Sequence, residues 1–242
     1  MSASVAAHLP SPAVLLSIVV PVLDEAAGIA AALAPLQRLR QAGVEVLVVD
    51  GGSRDATLEV ATPLADLVLV APRGRGSQMN AGAARARGAT LLFLHADTHL
   101  PAGAVDAVAA AIAAGACWGR FDVAIEGRLA GLGMVATMMN LRSRLTGIAT
   151  GDQAIFVTLV AFEQVGGFPD LPLMEDIALS TRLKRIARPA CLRQRVVTSG
   201  RRWEKHGLWR TILAMWRLRL RFFFGADPQA LAREYGYAPR QP

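Results

Sequence analysis

Along the first hundred residues, apolar runs of strand length alternate with stretches in which apolar residues recur at helical spacing. LLSIVVPVLDE is a β-branched run that ends on two acids, Asp24 and Glu25, and it reads as a buried strand. Ile29, Leu33, Leu36 and Leu39 then predict a helix, disturbed at Pro35 and stopped at Gly43. The pattern repeats in VEVLVVDGGSRDAT: a strand from Val44 to Val49 delivers Asp50 to a Gly51-Gly52 turn, and Ser53 or Asp55 is placed to cap the next helix. LVLVAP is a third strand, RGRGSQMNAGAARARG a glycine-containing loop entering a small-residue helix, and TLLFLHADT a fourth strand. A helix is expected from Pro101 to Ala114, a strand in WGRFDVAIEG, a short strand in GDQAIFV and turns through FEQVGGFPDLP. MEDIALSTRLKRIA is a helix opening on Glu175 and Asp176, a place where acids suit the helix dipole without further purpose. Strands alternating with helices imply an α/β domain with a mostly parallel, doubly wound sheet. There are no internal repeats and no low-complexity linker.

Composition narrows the class. The chain has 242 residues, 53% hydrophobic and 19% charged, enough for one large domain or a domain with an appendage. Cys117 and Cys191 are far apart and outside any CxxC or Cys/His cluster, which argues against a disulfide framework or a zinc site and fits a reducing cytoplasm. The uncharged run over residues 1–23 lacks a basic start and is broken by Pro10, Pro12 and Pro21, so neither a signal peptide nor a membrane span is expected. Residues 107–119 and 129–141 are uncharged too, but shorter than the roughly 20 helical residues that cross a bilayer. Charge is uneven: residues 1–176 carry 11 Lys and Arg against 16 Asp and Glu, whereas residues 177–242 carry 15 against 3. The basic C-terminal third calls for an anionic partner.

Acids at strand ends supply the candidate chemistry. Burying an unpaired charge costs several kcal/mol on an order-of-magnitude scale, roughly, so Asp97 belongs at the C-terminal end of its strand, facing a cleft. Open α/β sheets bind ligands there. One acid at such a place is usually a turn former; Asp24 with Glu25, Asp50 and Asp97 converge on one edge if their strands are parallel neighbours. Such acids accept the N–H and O–H donors of a uracil or guanine ring and a ribose, and a metal joins an acid to a diphosphate.

In that order, SIVVPVLDE, VVDGGSRDAT, RGSQMNAGA, HAD, MED and RRW resemble the family-2 glycosyltransferases with the GT-A fold, from about Ser17 to Trp203. Within that family the chain looks most like the small subgroup associated with arsenosugar biosynthesis. The resemblance implies a Rossmann-like sheet flanked by helices and a nucleotide-sugar donor. It places Pro21, Glu25, Asp50 and Ser53 in the nucleotide pocket, with Gly76, Gln78 and Asn80 approaching the donor from the loop. Asp97 matches the last acid of the family's DxD motif, which holds a divalent cation, Mn²⁺ or Mg²⁺, on the diphosphate. His95 stands where the first acid would be, and imidazole suits Mn²⁺ better than Mg²⁺; the plainer reading makes it a hydrogen-bonded residue near the strand end. The MED motif offers Asp176 as the base that deprotonates the acceptor, with Glu175 orienting it, and Arg202 assists the leaving diphosphate. Trp203 stacks on sugar or nucleotide, or simply packs. Lys205 and His206 contact phosphate or only solvent. Ser199 occupies the position of the Gln in the QxxRW pattern of processive members, so a single sugar is expected per encounter.

The organisation expected is a flexible start over residues 1–14, the GT-A domain over 15–206 and a basic amphipathic helical tail over 207–242. On a helical wheel of LWRTILAMWRLRLRFFFG, Arg210, Arg217 and Arg221 share a stripe, Arg219 opposes them and the rest is apolar. Such a helix docks on the catalytic domain, binds an anionic membrane surface or holds a partner protein. Its clustered aromatics do not form a stacking platform for nucleic acid. The reading is therefore an inverting, metal-dependent enzyme of the cytoplasm, peripheral on the inner face of the membrane, acting on an acceptor of unknown identity. A sugar-1-phosphate nucleotidyltransferase would carry a GxGxR-type loop after the first strand, and a dehydrogenase GxGxxG; neither is present. A non-catalytic membrane scaffold with a nucleotide pocket is the alternative from another class.

Overall fold

The computed structural model describes residues 16–237, so the flexible start expected over residues 1–14 lies outside the described residues. The elements run β1 (Leu16–Val22), α1 (Ile29–Leu33), α2 (Gln37–Gln41), β2 (Glu45–Asp50), α3 (Thr57–Ala61), β3 (Leu67–Val70), α4 (Arg75–Ala83), β4 (Thr90–Phe93) and β5 (Thr98–His99). There follow α5 (Ala104–Ala113), β6 (Trp118–Glu126), α6 (Leu132–Thr146), β7 (Phe156–Thr158), α7 (Leu159–Gln164), α8 (Glu175–Leu183), β8 (Ala190–Ser199), α9 (Arg201–His206), α10 (Leu208–Phe223) and α11 (Pro228–Tyr235).

One eight-stranded sheet carries the order β3-β2-β1-β4-β7-β6-β8-β5. Strands β3, β2, β1 and β4 are parallel, β7 runs antiparallel to both β4 and β6, and β5 runs antiparallel to β8. Every residue of β1, β2 and β4 is buried, which is why these strands read as continuous apolar runs: helices cover both faces. Successive side chains nevertheless sort onto two faces. Ile18, Val20, Val46, Val48 and Leu92 enter one core with Ile29 and Leu33 of α1. Val19, Leu47, Val49, Leu91 and Phe93 enter the other with Met79 of α4 and Leu179 of α8. Strands β2 and β4 flank β1 on opposite sides, so the strand order reverses there and the C-terminal ends of β1 and β4 open a crevice.

Several local expectations change. The helix after β1 is broken at Pro35 into α1, a 3-10 turn at Ala34–Leu36, and α2. The N-cap position of α3 is Ala56; Ser53 binds the neighbouring loop, whereas Asp55 does both, its Oδ2 accepting Ala26 N–H and its Oδ1 accepting Thr57 N–H at 3.0 Å at the start of the helix. Strand β4 stops at Phe93, short of His95 and Asp97, because the chain turns there, with Thr98 N–H donating to His95 C=O at 3.0 Å. In GDQAIFV, Gly151–Gln153 is a 3-10 turn and pairing begins only at Phe156.

The ten-residue β8 was not foreseen. Its exposed Arg193, Gln194 and Arg195 interrupt any apolar alternation, and a register shift opposite Phe121 and Asp122 accommodates them. Beyond it, α10 and α11 fold back on the body: Leu218, Leu231 and Ala232 form a small core with Leu173 and Met174. The tail thereby reaches the residue that precedes Glu175.

Candidate functional site

Two loops are stitched together at the ends of β1 and β2. Asp24 N–H donates to Ser53 Oγ at 2.8 Å, Arg54 N–H to Asp24 Oδ1 at 2.8 Å, and Glu25 N–H to Thr57 Oγ1 at 2.8 Å. Asp50 is fully buried; its Oδ2 accepts Gly52 and Ser53 N–H at 2.8 Å each, and its Oδ1 accepts the Ser53 hydroxyl. Asp50 and Ser53 thus lie at the expected strand edge, but their polar groups are spent holding the turn together. Glu25 is left to face the opening, and its neighbour Asp24 has a positive φ of 52° that turns the chain outward.

The opening is a cleft of about 260 Å³. Pro21, Glu25, Gln78, His95 and Asp97 line it, and so do Arg73, Arg75 and Tyr237, which the sequence did not single out. Glu25 and Asp97 are close enough to interact: burial pushes the Glu25 carboxyl up, Arg201 opposes the rise and Asp97 adds to it. Gln78 is a brace as well as a wall, its Nε2 donating to Val22 C=O and Val49 C=O at 2.8 Å each. Asn80 points away, bonded through its amide to Phe168 C=O at 2.8 Å and Phe168 N–H at 2.9 Å. Gly76 does not face the cleft either; it lets α4 approach Pro169, whose carbonyl would stand 2.9 Å from an added Cβ. The arginine facing the cleft acid is Arg201, whereas Arg202 stacks 3.7 Å over the Tyr235 ring and Trp203 is half-buried on α9. The RRW motif is tied to the cleft by Ser199 N–H, which donates to Asp97 C=O at 3.1 Å.

His95 connects the cleft to a small void walled also by Glu175, Asp176 and Gly151. Its Nδ1 lies 3.5 Å from Asp152 Oδ1, and its ring rests on Gly151, where a Cβ would come within 2.4 Å of Nε2. Desolvation disfavours the Asp152 charge, but the hydrogen bond from His95 and the charges of His95, Arg75 and Arg219 outweigh it and hold that carboxyl below the usual range. Asp176 accepts Gly151 N–H at 2.8 Å and Ile177 N–H at 2.7 Å, so both oxygens are oriented while the side chain stays partly accessible. Met174, just before the pair, has a positive φ of 69°, a strained conformation for a non-glycine residue.

The model of Glycosyl transferase family 2 matches residues 17–147, more than half of the chain. The chain belongs to this family. Solved structures show that the fold is GT-A. One is S. aureus TarS 1-349 in complex with UDP-GlcNAc, at 19% identity and TM-score 0.62, with 76% of this chain and 58% of that one covered. Another is the mannosyltransferase PcManGT from Pyrobaculum calidifontis in complex with GDP-Man and Mn²⁺, at 22% identity, TM-score 0.61 and coverage of 93% and 65%. A third is glucosyl-3-phosphoglycerate synthase from Mycobacterium tuberculosis with Mn²⁺, UDP and glucosyl-3-phosphoglycerate, at 18% identity, TM-score 0.57 and coverage of 76% and 70%. The chain spans about 60% of the TarS 1-349 length. No curated protein matches it in sequence.

In this family 2 chain the acid pair carries a stability signature. Burial, then the charge of Asp176, pushes the Glu175 carboxyl up to about 7 from an ordinary value of 4.5, with Arg75 opposing. Between those values the folded chain holds a proton that the unfolded chain has released. Stability is therefore present at low pH and lost as pH rises through the folded value, by about 3 kcal/mol at most. Glu175→Gln is expected to remove this loss and to melt above wild type at about pH 8 while matching it near pH 5. Melting curves that keep the wild-type pH slope would contradict the assignment.

Proposed function

We propose that the chain is an inverting, non-processive glycosyltransferase that moves one sugar from a nucleotide-sugar donor to a hydroxyl of a small or lipid-linked acceptor. The observation that carries it is the shared position of His95, which walls both a cleft containing Glu25 and Asp97 and a void containing Glu175 and Asp176. Donor-side and acceptor-side acids thereby meet across one side chain.

Donor recognition falls to the cleft. Pro21 and Gln78 shape it, Asp50 and Ser53 fix the turn at its nucleotide end, and Gly74 with Arg75 presents the N-terminus of α4, a favourable place for phosphate. Arg73 and Arg75 supply positive charge for the diphosphate. TarS with UDP-GlcNAc and PcManGT with GDP-Man and Mn²⁺ support a sugar nucleotide and a divalent cation here. The residues fit such an ion. Mg²⁺ and Mn²⁺ favour carboxylate oxygens and take one or two of them together with substrate phosphates. Asp97 and Glu25 offer this, with His95 beside them oriented by Asp152. Among the described residues no group of three His, Cys, Asp or Glu would hold the ion unaided, as befits a cation that arrives with its diphosphate. When bound, the cation neutralises charge developing on the leaving diphosphate.

On the acceptor side, Asp176 takes the hydroxyl proton, because it is the reachable member of the pair and its two backbone N–H bonds aim it. Glu175, buried behind it, sets the local charge. Ser199, bonded to Arg201 and to the Asp97 carbonyl, stands where processive members have Gln, in keeping with single transfer. The finer reading within the family is the arsenosugar-associated subgroup, which the sequence most resembles. The decisive experiment is calorimetric titration with UDP, GDP, CDP and dTDP, with and without Mn²⁺. One nucleotide binding in a cation-dependent manner is expected; none binding in any condition would leave the non-catalytic scaffold as the better reading.

The same proposal places the enzyme in the cytoplasm, with residues 15–206 as its catalytic body and residues 207–242 attaching it to the inner face of a membrane. Among the described residues no helix is long and apolar enough to cross a membrane. Yet Trp209, Leu213, Trp216, Leu220 and Phe223 form one stripe along α10 and are 59% to 82% exposed. Arg217 and Arg221 lie to its side, paired with Glu234 of α11. An aromatic stripe edged by arginines suits the interface of an anionic bilayer. Trp209→Ser with Trp216→Ser and Phe223→Ser is expected to lower partitioning onto phosphatidylglycerol vesicles by about tenfold or more without lowering the melting temperature. Unchanged partitioning would remove α10 as the anchor. The exposed stripe is the better target than deletion from Leu208, which would also strip Leu231 and Ala232 from the core beside Met174.

A further inference from the structure

We propose that Arg142 of α6 and Arg219 of α10 form an anion-binding subsite beside Asp176, which receives a phosphate group carried by the acceptor. The inference rests on the glycosyltransferase reading above and deepens it by naming the acceptor class.

The Arg142 guanidinium has its Nε and Nη2 buried with no hydrogen-bond partner. An unpaired charge in such a place is costly, and proteins seldom retain one without a use. Burial and the nearby Arg219 push Arg142 down to about 10, while Asp176 and Asp152 pull the other way. Arg219 faces the same two acids: burial lowers it, and Asp176 and then Asp152 oppose. Neither guanidinium makes a hydrogen bond or ion pair among the described residues. Their neighbours are all engaged. Arg120 and Arg144 pair with Asp122, and Arg217 and Arg221 with Glu234. Two elements distant in sequence therefore set one guanidinium with buried unsatisfied nitrogens, Arg142, and one without an ion-pair partner, Arg219, where both feel the charge of the candidate base.

The anion they await is not the donor diphosphate. The donor cleft has its own arginines, Arg73 and Arg75, and neither Arg142 nor Arg219 lines it. What comes to Asp176 is the acceptor, so the negative charge belongs to the acceptor. Planar guanidinium groups with free N–H forks match phosphate oxygens in a bidentate manner. A phosphate held there would fix the acceptor while Asp176 removes the proton from its hydroxyl. Arg219 also sits on the helix that carries the exposed apolar stripe, so that phosphate belongs either to a soluble molecule or to a lipid.

The full chain is titrated with inorganic phosphate at constant ionic strength, and with phosphatidylglycerol and phosphatidylcholine vesicles, in wild type, Arg142→Met, Arg219→Met and Arg75→Met. Phosphate affinity is expected to fall about tenfold or more in the first two variants and to survive in Arg75→Met. Arg142→Lys should restore part of it. Vesicles of phosphatidylglycerol that displace phosphate point to a lipid source, and vesicles that do not displace it point to a soluble one; both support the subsite. Arg142→Met should also melt about 2 to 4 °C above wild type without ligand, since it removes an uncompensated buried charge. Absence of phosphate binding, or binding that depends on Arg75 and ignores Arg142, overturns the proposal. So does a fall in melting temperature for Arg142→Met, which would make the arginine a structural partner. Nucleoside diphosphate titrations on the same preparations keep the two readings apart: intact nucleotide binding with no Arg142-dependent phosphate site defeats this inference alone.

Discussion

Asp176→Asn is expected to lower kcat by about 10²- to 10⁴-fold, the usual contribution of a positioned general base. The affinity for the donor nucleotide should stay within about twofold of wild type, because the lost group acts on the acceptor proton. The substitution is nearly isosteric. The Asn oxygen can still accept Gly151 N–H, now at 2.8 Å to Oδ2, which keeps the loop in place, while its amide nitrogen cannot accept Ile177 N–H and gives up the second bond. What disappears is the proton acceptor and one negative charge beside Glu175. That second loss gives an internal control: without the Asp176 charge, Glu175 is relieved of a neighbour that pushes it up, and its titration should move toward the ordinary range. Turnover and calorimetry on one preparation check both parts. Unimpaired turnover would move the base to Glu175, which already titrates near neutrality.

The second large effect is expected on the donor side. Asp97→Ala should weaken Mn²⁺-dependent nucleotide binding by about 30- to 1000-fold, equivalent to about 2 to 4 kcal/mol for a charge contact removed from a partly buried site. The cation loses an anionic ligand, and this outweighs the opposite effect on Glu25, whose carboxyl ionises more readily once the charge of Asp97 is gone. Chelation of the cation should bring wild type close to the variant, and the variant should hardly respond to chelation. Calorimetry with and without Mn²⁺ reads this as the convergence of two curves. A variant that binds nucleotide as tightly as wild type in Mn²⁺ would show that the cleft does not use Asp97. The backbone at this position is also structural, since its carbonyl accepts Ser199 N–H, but Ala preserves that bond.

Much of the parallel half of the sheet was legible because its signals are local. Buried strands flanked by helices on both sides are mostly apolar, and β1, β2 and β4 are apolar through their middles, with Ser17, Glu45, Asp50 and Thr90 at or near their ends. Glu175 and Asp176 open α8 where the MED motif placed them. Pro35 interrupts its helix because proline cannot donate and crowds the preceding turn. The errors have equally concrete sources. Strand β8 was hidden by Arg193 and Arg195, tolerated because that stretch is exposed. Ser53 looked like a cap because serine caps helices, yet its hydroxyl had a nearer acceptor in Asp50. Arg202 was read from motif position alone; on α9 it stacks over Tyr235, and the charge that acts on Glu25 is that of Arg201.

The sequence by itself determined which residues could carry charge at a strand end, the alternation that divides each strand between two cores, and the order of motifs that marks the family. Period and propensity act over a few residues, so they are readable along the chain. Only the tertiary structure decided which of those charges find partners. His95 meets Asp152, Arg142 and Arg219 both feel the charge of Asp176, Glu175 is buried beside it, and Tyr237 returns from the tail to the donor cleft. Each of these depends on segments brought together by burial of a shared apolar core, and a charge's environment is set by that burial and by neighbours in space. The chemistry of the site is therefore written in contacts between distant segments, while the scaffold that makes them is written locally.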